Sequence, residues 1–258
     1  QRFAHLMDLL CEGLMPDMAL ADIVIHPIPK AAGGIRPIGC GSILRRAAGS
    51  IASRCLARSL AAGLVSNGQF VAAPDGTRRA HLRLRQLADG GHSILKVDVK
   101  NAFGTIERDV LLSPLIGSNA PGAHLARLLY GAPTKGYAAV GNAEPIIIDR
   151  GVIQGCAFSA LLFSMAFTHA IRTGIPRAAV APRFGTPGDP GPGPYLAMYA
   201  DDAFFTAADN AQLADIAARI PATIAPLGLV TADKSELLVG TDRECPQQLR
   251  DFTAGRVL

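Results

Sequence analysis

The sequence predicts an α+β fold in which helices pack on one face of an antiparallel sheet. Three observations lead there. From Ser93 onward the pattern runs strand, helices, hairpin, helix, hairpin, helix, strand, an order that segregates helices to one side of an antiparallel sheet. Apolar residues from Pro194 to Ala200 and from Ala203 to Thr206 flank the adjacent acids Asp201 and Asp202. Such a pattern predicts two short strands with the carboxylates at the hairpin tip. Before Ser93, apolar residues recur mostly at helical spacing.

Taken in order, Phe3, Leu6, Leu9, Leu10 and Leu14 predict a helix over residues 2–14 that Pro16 ends. Ile23–Ile28 and Ile35–Ile38 read as strands joined by Lys30-Ala-Ala-Gly-Gly34, a glycine-bearing hairpin turn. Ser42 can cap a long helix to about Leu64. Arg79 to Ala88 reads as a second basic helix, and Ser93 to Asp98 as a buried strand ending in an acid. Glu107–Leu115 and Gly122–Tyr130 are expected helical, with a hairpin around Gly141-Asn142 after them. An apolar helix is expected from Gly155 to Thr173. The Gly/Pro-rich stretch 185–194 reads as a solvated insertion. Asp209 caps a helix to about Pro226 with Gly228 at its end, and Ser235–Val239 forms a last strand.

At 258 residues and 49% hydrophobic content the chain can bury a sizeable core. Its net charge of +4 is small, but Arg45, Arg46, Arg54, Arg58, Arg78, Arg79, Arg83 and Arg85 all fall early in the chain. That asymmetry suits a polyanionic partner. Five scattered cysteines in no ligand spacing suggest neither a disulfide framework nor a zinc site, and a reducing, intracellular setting is expected. The apolar run from Cys156 to Ile171 is too short to span a bilayer, so no membrane partner is expected. Gln1 suggests a piece of a longer protein.

Adjacent carboxylates repel, and burial makes them costlier unless a cation compensates. An Asp-Asp turn can be an ordinary turn. Asp98 supplies a third carboxylate, at the end of a strand expected beside the hairpin. Acids on neighbouring strands can hold Mg²⁺, which favours one or two carboxylates plus substrate phosphates.

Leu95-Lys-Val-Asp-Val-Lys-Asn-Ala-Phe-Gly104, Gly151-Val-Ile-Gln-Gly-Cys-Ala-Phe-Ser-Ala-Leu-Leu-Phe163 and Tyr199-Ala-Asp-Asp202 resemble the first three palm motifs of reverse transcriptases. Gly228-Leu-Val-Thr-Ala-Asp-Lys234-Ser-Glu is similar to the fourth, and Ile28-Pro-Lys-Ala-Ala-Gly-Gly-Ile-Arg-Pro-Ile38 to the fingers motif. Order and spacing match over roughly residues 20 to 240. The detail of Arg36-Pro37-Ile38 and of Asp98 to Phe103 most resembles the non-LTR retrotransposon (LINE-like) type.

The resemblance implies a right-hand polymerase, with fingers over residues 1–92 (120–150 shared between fingers and palm) and palm over 93–258. The thumb is expected to be missing from this stretch, and other domains of a larger polyprotein are expected as partners. It implies an RNA-directed DNA polymerase acting on an RNA template, a DNA primer and dNTPs. Its cofactor would be two Mg²⁺ ions, with Mn²⁺ as a substitute. Asp98, Asp201, Asp202 and the Val99 carbonyl would hold metal, and Lys234 would protonate pyrophosphate. Lys30 and Arg36 would meet the triphosphate. Phe103 would exclude a 2′-OH, while Gln154 and Gly155 would line the nucleotide pocket. Basic residues from Ser42 to Leu64 and Arg78 to Arg85 would track the template backbone, with Gln69-Phe70 touching the template. Action in the nucleus would follow for a eukaryotic element.

The sequence departs from the family in places. Ala157 and Ala160 stand where prolines are usual, which loosens the start of the following helix, and Gly104 stands where Asn is common. Two alternatives stay open. One is a catalytically inactive, reverse-transcriptase-like module that only binds nucleic acid. The other is an RNA-dependent RNA polymerase palm, which Phe103 and Arg36-Pro37-Ile38 disfavour.

Overall fold

The computed structural model describes residues 2–12, 14, 20–31, 33–115, 122–139, 141, 144–175, 180, 194–240 and 244–258. Its elements in chain order are α1 (Arg2–Cys11), β1 (Ile23–Pro29), β2 (Ile35–Gly41), α2 (Ile43–Ser66), α3 (Gly76–Asp89) and β3 (Ser93–Val97). Then come α4 (Ala102–Thr105), α5 (Arg108–Leu112), α6 (Ala123–Tyr130), β4 (Thr134–Ala138), β5 (Ile146–Ile148) and α7 (Ser159–Gly174). The last are β6 (Tyr195–Tyr199), β7 (Asp202–Ala207), α8 (Asn210–Ile224), β8 (Glu236–Leu238) and α9 (Gln247–Phe252). The α+β class is as expected. The chain divides into two compact units, Gln1–Ser59 with Phe103–Phe163, and Leu60–Ala102 with Ser164–Leu258. These units interleave along the sequence.

In the first unit the sheet order is β2-β1-β4-β5. The β1–β2 hairpin turns as the sequence predicts, with the Lys30 N–H donating to the Gly34 carbonyl at 3.0 Å. β4 and β5 pair antiparallel, with Thr134 opposite Ile148. β4 also runs parallel to β1, with Ile23 opposite Gly136. Ser42 starts α2, its Oγ accepting from the Arg45 N–H at 3.2 Å. A buried polar knot lies beside α6. Arg108 donates to the carbonyls of Gly151 at 2.9 Å and Ala132 at 2.7 Å, and to Thr134 Oγ1 at 3.3 Å. Tyr130 shares a 2.7 Å hydrogen bond with Ser159, and burial pushes its phenol up to about 12.

The second unit holds the antiparallel sheet β6-β7-β3-β8. One face is dry, since Leu95, Leu196, Phe205 and Leu237 are each at most 1% exposed. Burying each such side chain stabilises by about 1.5–3 kcal/mol. The opposite face is only partly covered: Phe70, Ala80 and Ala197 cluster there with Leu84 and Phe204, while Ile94 and Lys96 are half-buried. α8 packs on β7 and α9 on α8. Asp209 caps α8 as expected, accepting from the Ala211 N–H at 2.8 Å, and Gly228 follows at φ 72°.

Several expectations shift. The long apolar helix begins at Ser159 and not at Gly155, because residues 154–158 form turns. Pro16 and all of 185–194 but Pro194 lie outside the described residues, as do Val140 and Asn142. Arg45 is not a template contact: it is 1% exposed and donates to the carbonyls of Leu20 at 3.0 Å and Ala21 at 2.7 Å. Arg83 is buried too and donates to Gln86 Oε1 at 2.8 Å. Arg46, Arg54, Arg58, Arg78, Arg79 and Arg85 remain exposed. Among the described residues no helix is long and apolar enough to cross a membrane.

Arg45→Met is therefore expected to lower stability by about 1.5–3 kcal/mol, the worth of hydrogen bonds from a charged donor, as read by urea unfolding. It should leave the salt slope of RNA binding unchanged, whereas Arg54→Ala with Arg58→Ala should flatten that slope and hardly touch stability.

Candidate active site

The sequence-predicted residues fall in two groups, one in each unit. The acidic group belongs to the second. β3 pairs with β7 so that Val97 is opposite Ala203, and β7 pairs with β6 so that Tyr199 is opposite Asp202. Continuing the register by one residue sets Asp98 opposite Asp202, on the partly open face that also carries Lys96. Ala200 and Asp201 form the two-residue turn, with Ala200 at φ 55°, a left-handed conformation that alanine rarely adopts.

Burial pushes the Asp202 carboxyl above the usual carboxylate range; Lys96 opposes this and Asp98 reinforces it. The two acids thus share one half-buried patch, with Asp98 near enough to add to the shift of its partner. Lys96 was not anticipated. Period-two alternation already puts it on the Asp98 side of β3, so the signal was present.

Asp98 itself is fixed from the other flank. Its N–H donates to Ser235 Oγ at 3.2 Å, and its carbonyl accepts from the Ala232 N–H at 2.8 Å. Val99 bridges Thr231, and the Lys100 N–H donates to the Val230 carbonyl at 2.9 Å. The segment carrying the exposed Lys234 is thereby strapped to the Asp98 backbone. Val99 is 5% exposed.

Among the described residues no three His, Cys, Asp or Glu side chains are gathered as a metal cage. The donors present fit Mg²⁺ nonetheless. They are oxygens only, and a pair of neighbouring carboxylates is the protein share that Mg²⁺ usually takes, phosphates and water completing its shell.

The remaining residues belong to the first unit. Lys30 opens the β1–β2 turn and Arg36 lies opposite Ile28; both are exposed. Phe103 is half-buried and stacks on Phe163 with ring centroids 4.8 Å apart. The segment 151–155 ties these parts together. The Gly151 N–H donates to the Ile106 carbonyl at 2.8 Å, Val152 to that of Phe103 at 2.6 Å, and the Gln154 carbonyl accepts from Gly39 at 2.8 Å. Gly155 is required there, since its φ is 107° and a Cβ would stand 2.9 Å from the Gly39 carbonyl oxygen. Backbone turns and the Tyr130–Ser159 bond hold this helix start in the place of the usual prolines.

Gln69 and Phe70 are not template contacts. Gln69 is 0% and Phe70 6% exposed, and the Gln69 amide is bonded within the protein.

The model of the family described as reverse transcriptase (RNA-dependent DNA polymerase) matches residues 28–247. The chain belongs to the reverse transcriptase family. That is a family of RNA-directed DNA polymerases, hence of nucleotidyltransferases. No curated protein matches the sequence. The reverse transcriptase fold is also seen in solved structures. Telomerase from Candida albicans, solved with a TWJ fragment of telomeric RNA, superposes with a TM-score of 0.59 at 14% identity, covering 90% of this chain and 44% of that one. Apo telomerase from Candida tropicalis gives 0.62 at 12% identity, covering 88% and 46%. The reverse transcriptase chain described here thus spans about half the length of those telomerases, and at such identities the likeness concerns the fold.

Lys96→Met should raise the Asp202 titration midpoint further, because the attraction that lowers it is removed; a carboxyl-carbon NMR titration reads this. Since a raised folded-state value makes ionisation costly, the variant should lose stability relative to the parent as pH rises through that midpoint. A midpoint that stays put or falls would contradict the coupling.

Proposed function

We propose that this reverse transcriptase domain copies RNA into DNA as part of a non-LTR retroelement. The observation that carries the reading is that Asp98, one residue past β3, neighbours Asp202 of the adjacent strand β7, with Asp201 in the turn between β6 and β7. The LINE-like detail at Arg36-Pro37-Ile38 and Asp98 to Phe103 favours a retroelement over a telomerase.

In the reaction, the primer 3′-OH attacks the α-phosphorus of a dNTP. A new P–O ester bond forms, the bond to the β-phosphate oxygen breaks, and pyrophosphate departs. Asp98, Asp201, Asp202 and the Val99 carbonyl would hold divalent cations, Mg²⁺ first. When bound, such ions stabilise charge on the attacking and leaving oxygens. Lys30 and Arg36 bind triphosphate oxygens, the first as a point charge and the second as a planar fork. Lys234 gives a proton to the leaving pyrophosphate. Gln154 and Gly155 line the base and sugar, and the Phe103 ring rejects a 2′-OH.

Extension of a primed RNA template by the protein carrying this domain should fall on the order of 10³-fold in Asp201→Asn, the scale of losing electrostatic stabilisation of a transition state. Unchanged extension would sink the assignment, and a parent that binds duplex without extending it would favour a binding-only module. Phe103→Ala should cost roughly tenfold or more of the preference for dNTP over rNTP, measured by paired kcat/KM values. An unaltered preference would remove Phe103 from the sugar pocket.

A further inference from the structure

A buried side chain, Gln69, meets the turn between β6 and β7. Gln69 sits beside the outer edge of β6, where Met198 donates to the Gly68 carbonyl at 2.7 Å and Phe70 donates to the Met198 carbonyl at 2.9 Å. From there its amide reaches the turn. The Gln69 Oε1 accepts from the Ala200 N–H at 3.1 Å, and its Nε2 donates to the Ala200 carbonyl at 3.2 Å. Oε1 also accepts from the Val71 N–H at 3.2 Å. Both backbone polar groups of Ala200 are thus met by one primary amide, which alone among neutral side chains of this size offers a donor and an acceptor side by side.

The need for this clamp follows from the backbone. Ala200 stands at φ 55°, and a left-handed alanine costs about 1–2 kcal/mol. Such a conformation persists only where surroundings over-determine it. The Ala200 carbonyl belongs to the peptide that leads into Asp201, so fixing that carbonyl fixes the plane from which the Asp201 side chain departs.

We propose that Gln69 is a positioning residue for the carboxylate hairpin, setting the orientation of Asp201 and Asp202 through the Ala200 peptide. This inference rests on the reading of those acids as cation ligands. Partners that orient ligands in this way are typically worth 10–100-fold in metal affinity or activity.

The test uses Gln69→Met, which keeps length and apolar bulk and removes both hydrogen-bonding functions. Hydrogen exchange at the Ala200 amide should speed up by about tenfold or more. The Mg²⁺ concentration for half-maximal extension should rise roughly 10–100-fold, with KM for template–primer within about twofold of the parent. Adding Ala200→Gly, which relieves the left-handed strain, should recover part of the Mg²⁺ response. Should Gln69→Met fail to fold, Gln69→Asn carries the same test, being one methylene too short to meet both peptide groups. Unchanged exchange at Ala200 would overturn the clamp. Faster exchange with an unchanged Mg²⁺ response would overturn its link to the acids. If Asp201→Asn extends normally, the reading of the acids fails, and the exchange result still decides whether Gln69 holds the turn.

Discussion

Two carboxylates on adjacent strands repel, and the second unit is built so that they stay close regardless. Asp98 and Asp202 meet across β3 and β7 on a face that is neither dry nor open. Full burial would make an unpaired carboxylate costly, and full exposure would let water screen its attraction for a cation. The dry face beneath fixes the register: Leu95, Phe205, Leu196 and Leu237 must all point inward, and a slip by one residue would turn that set outward. The position of the acids is therefore a by-product of core packing. Lys96 offsets part of the repulsion from the same face, and the Asp202 carboxyl is still pushed up. Such a pair gains most from a cation.

Three devices hold the pair against its own repulsion. Ser235 and Ala232 meet both polar groups of the Asp98 backbone. The two-residue turn at Ala200-Asp201 ends the β6–β7 hairpin. The Gln69 amide secures that turn. In the first unit the same logic recurs, where the segment from Gly151 to Gly155 is tied to Phe103 on one side and to Gly39 on the other. In both units residues distant in sequence are also aligned by main-chain hydrogen bonds, which tolerate much side-chain change. A chain only 12–14% identical to telomerases can keep their fold in this way.

What was legible in the sequence was local. The hairpins, the Asp209 cap and the strand ending at Asp98 each announce themselves within a few residues by alternation, turn chemistry or capping. The start of α7 is not legible, because residues 155–158 continue an apolar run and nothing local reveals that this stretch turns to meet Gly39. Arg45 and Arg83 read as template contacts because charge alternating with apolar residues does not say which face is buried. The burial of Gln69 is illegible for a related reason: its partner Ala200 lies 131 residues away, and a neutral amide in a loop carries no local mark of it. Lys96 was readable from strand parity, once Asp98 was singled out.

The neighbouring acids Asp98 and Asp202 form a cation platform under the function proposed above. Calorimetric titration of dNTP into the protein, with and without Mg²⁺, tests it most directly. With such a platform, dNTP binding needs Mg²⁺ and weakens sharply when Asp98 is replaced by Asn. Binding that is the same without the metal, or indifferent to Asp98→Asn, would contradict it.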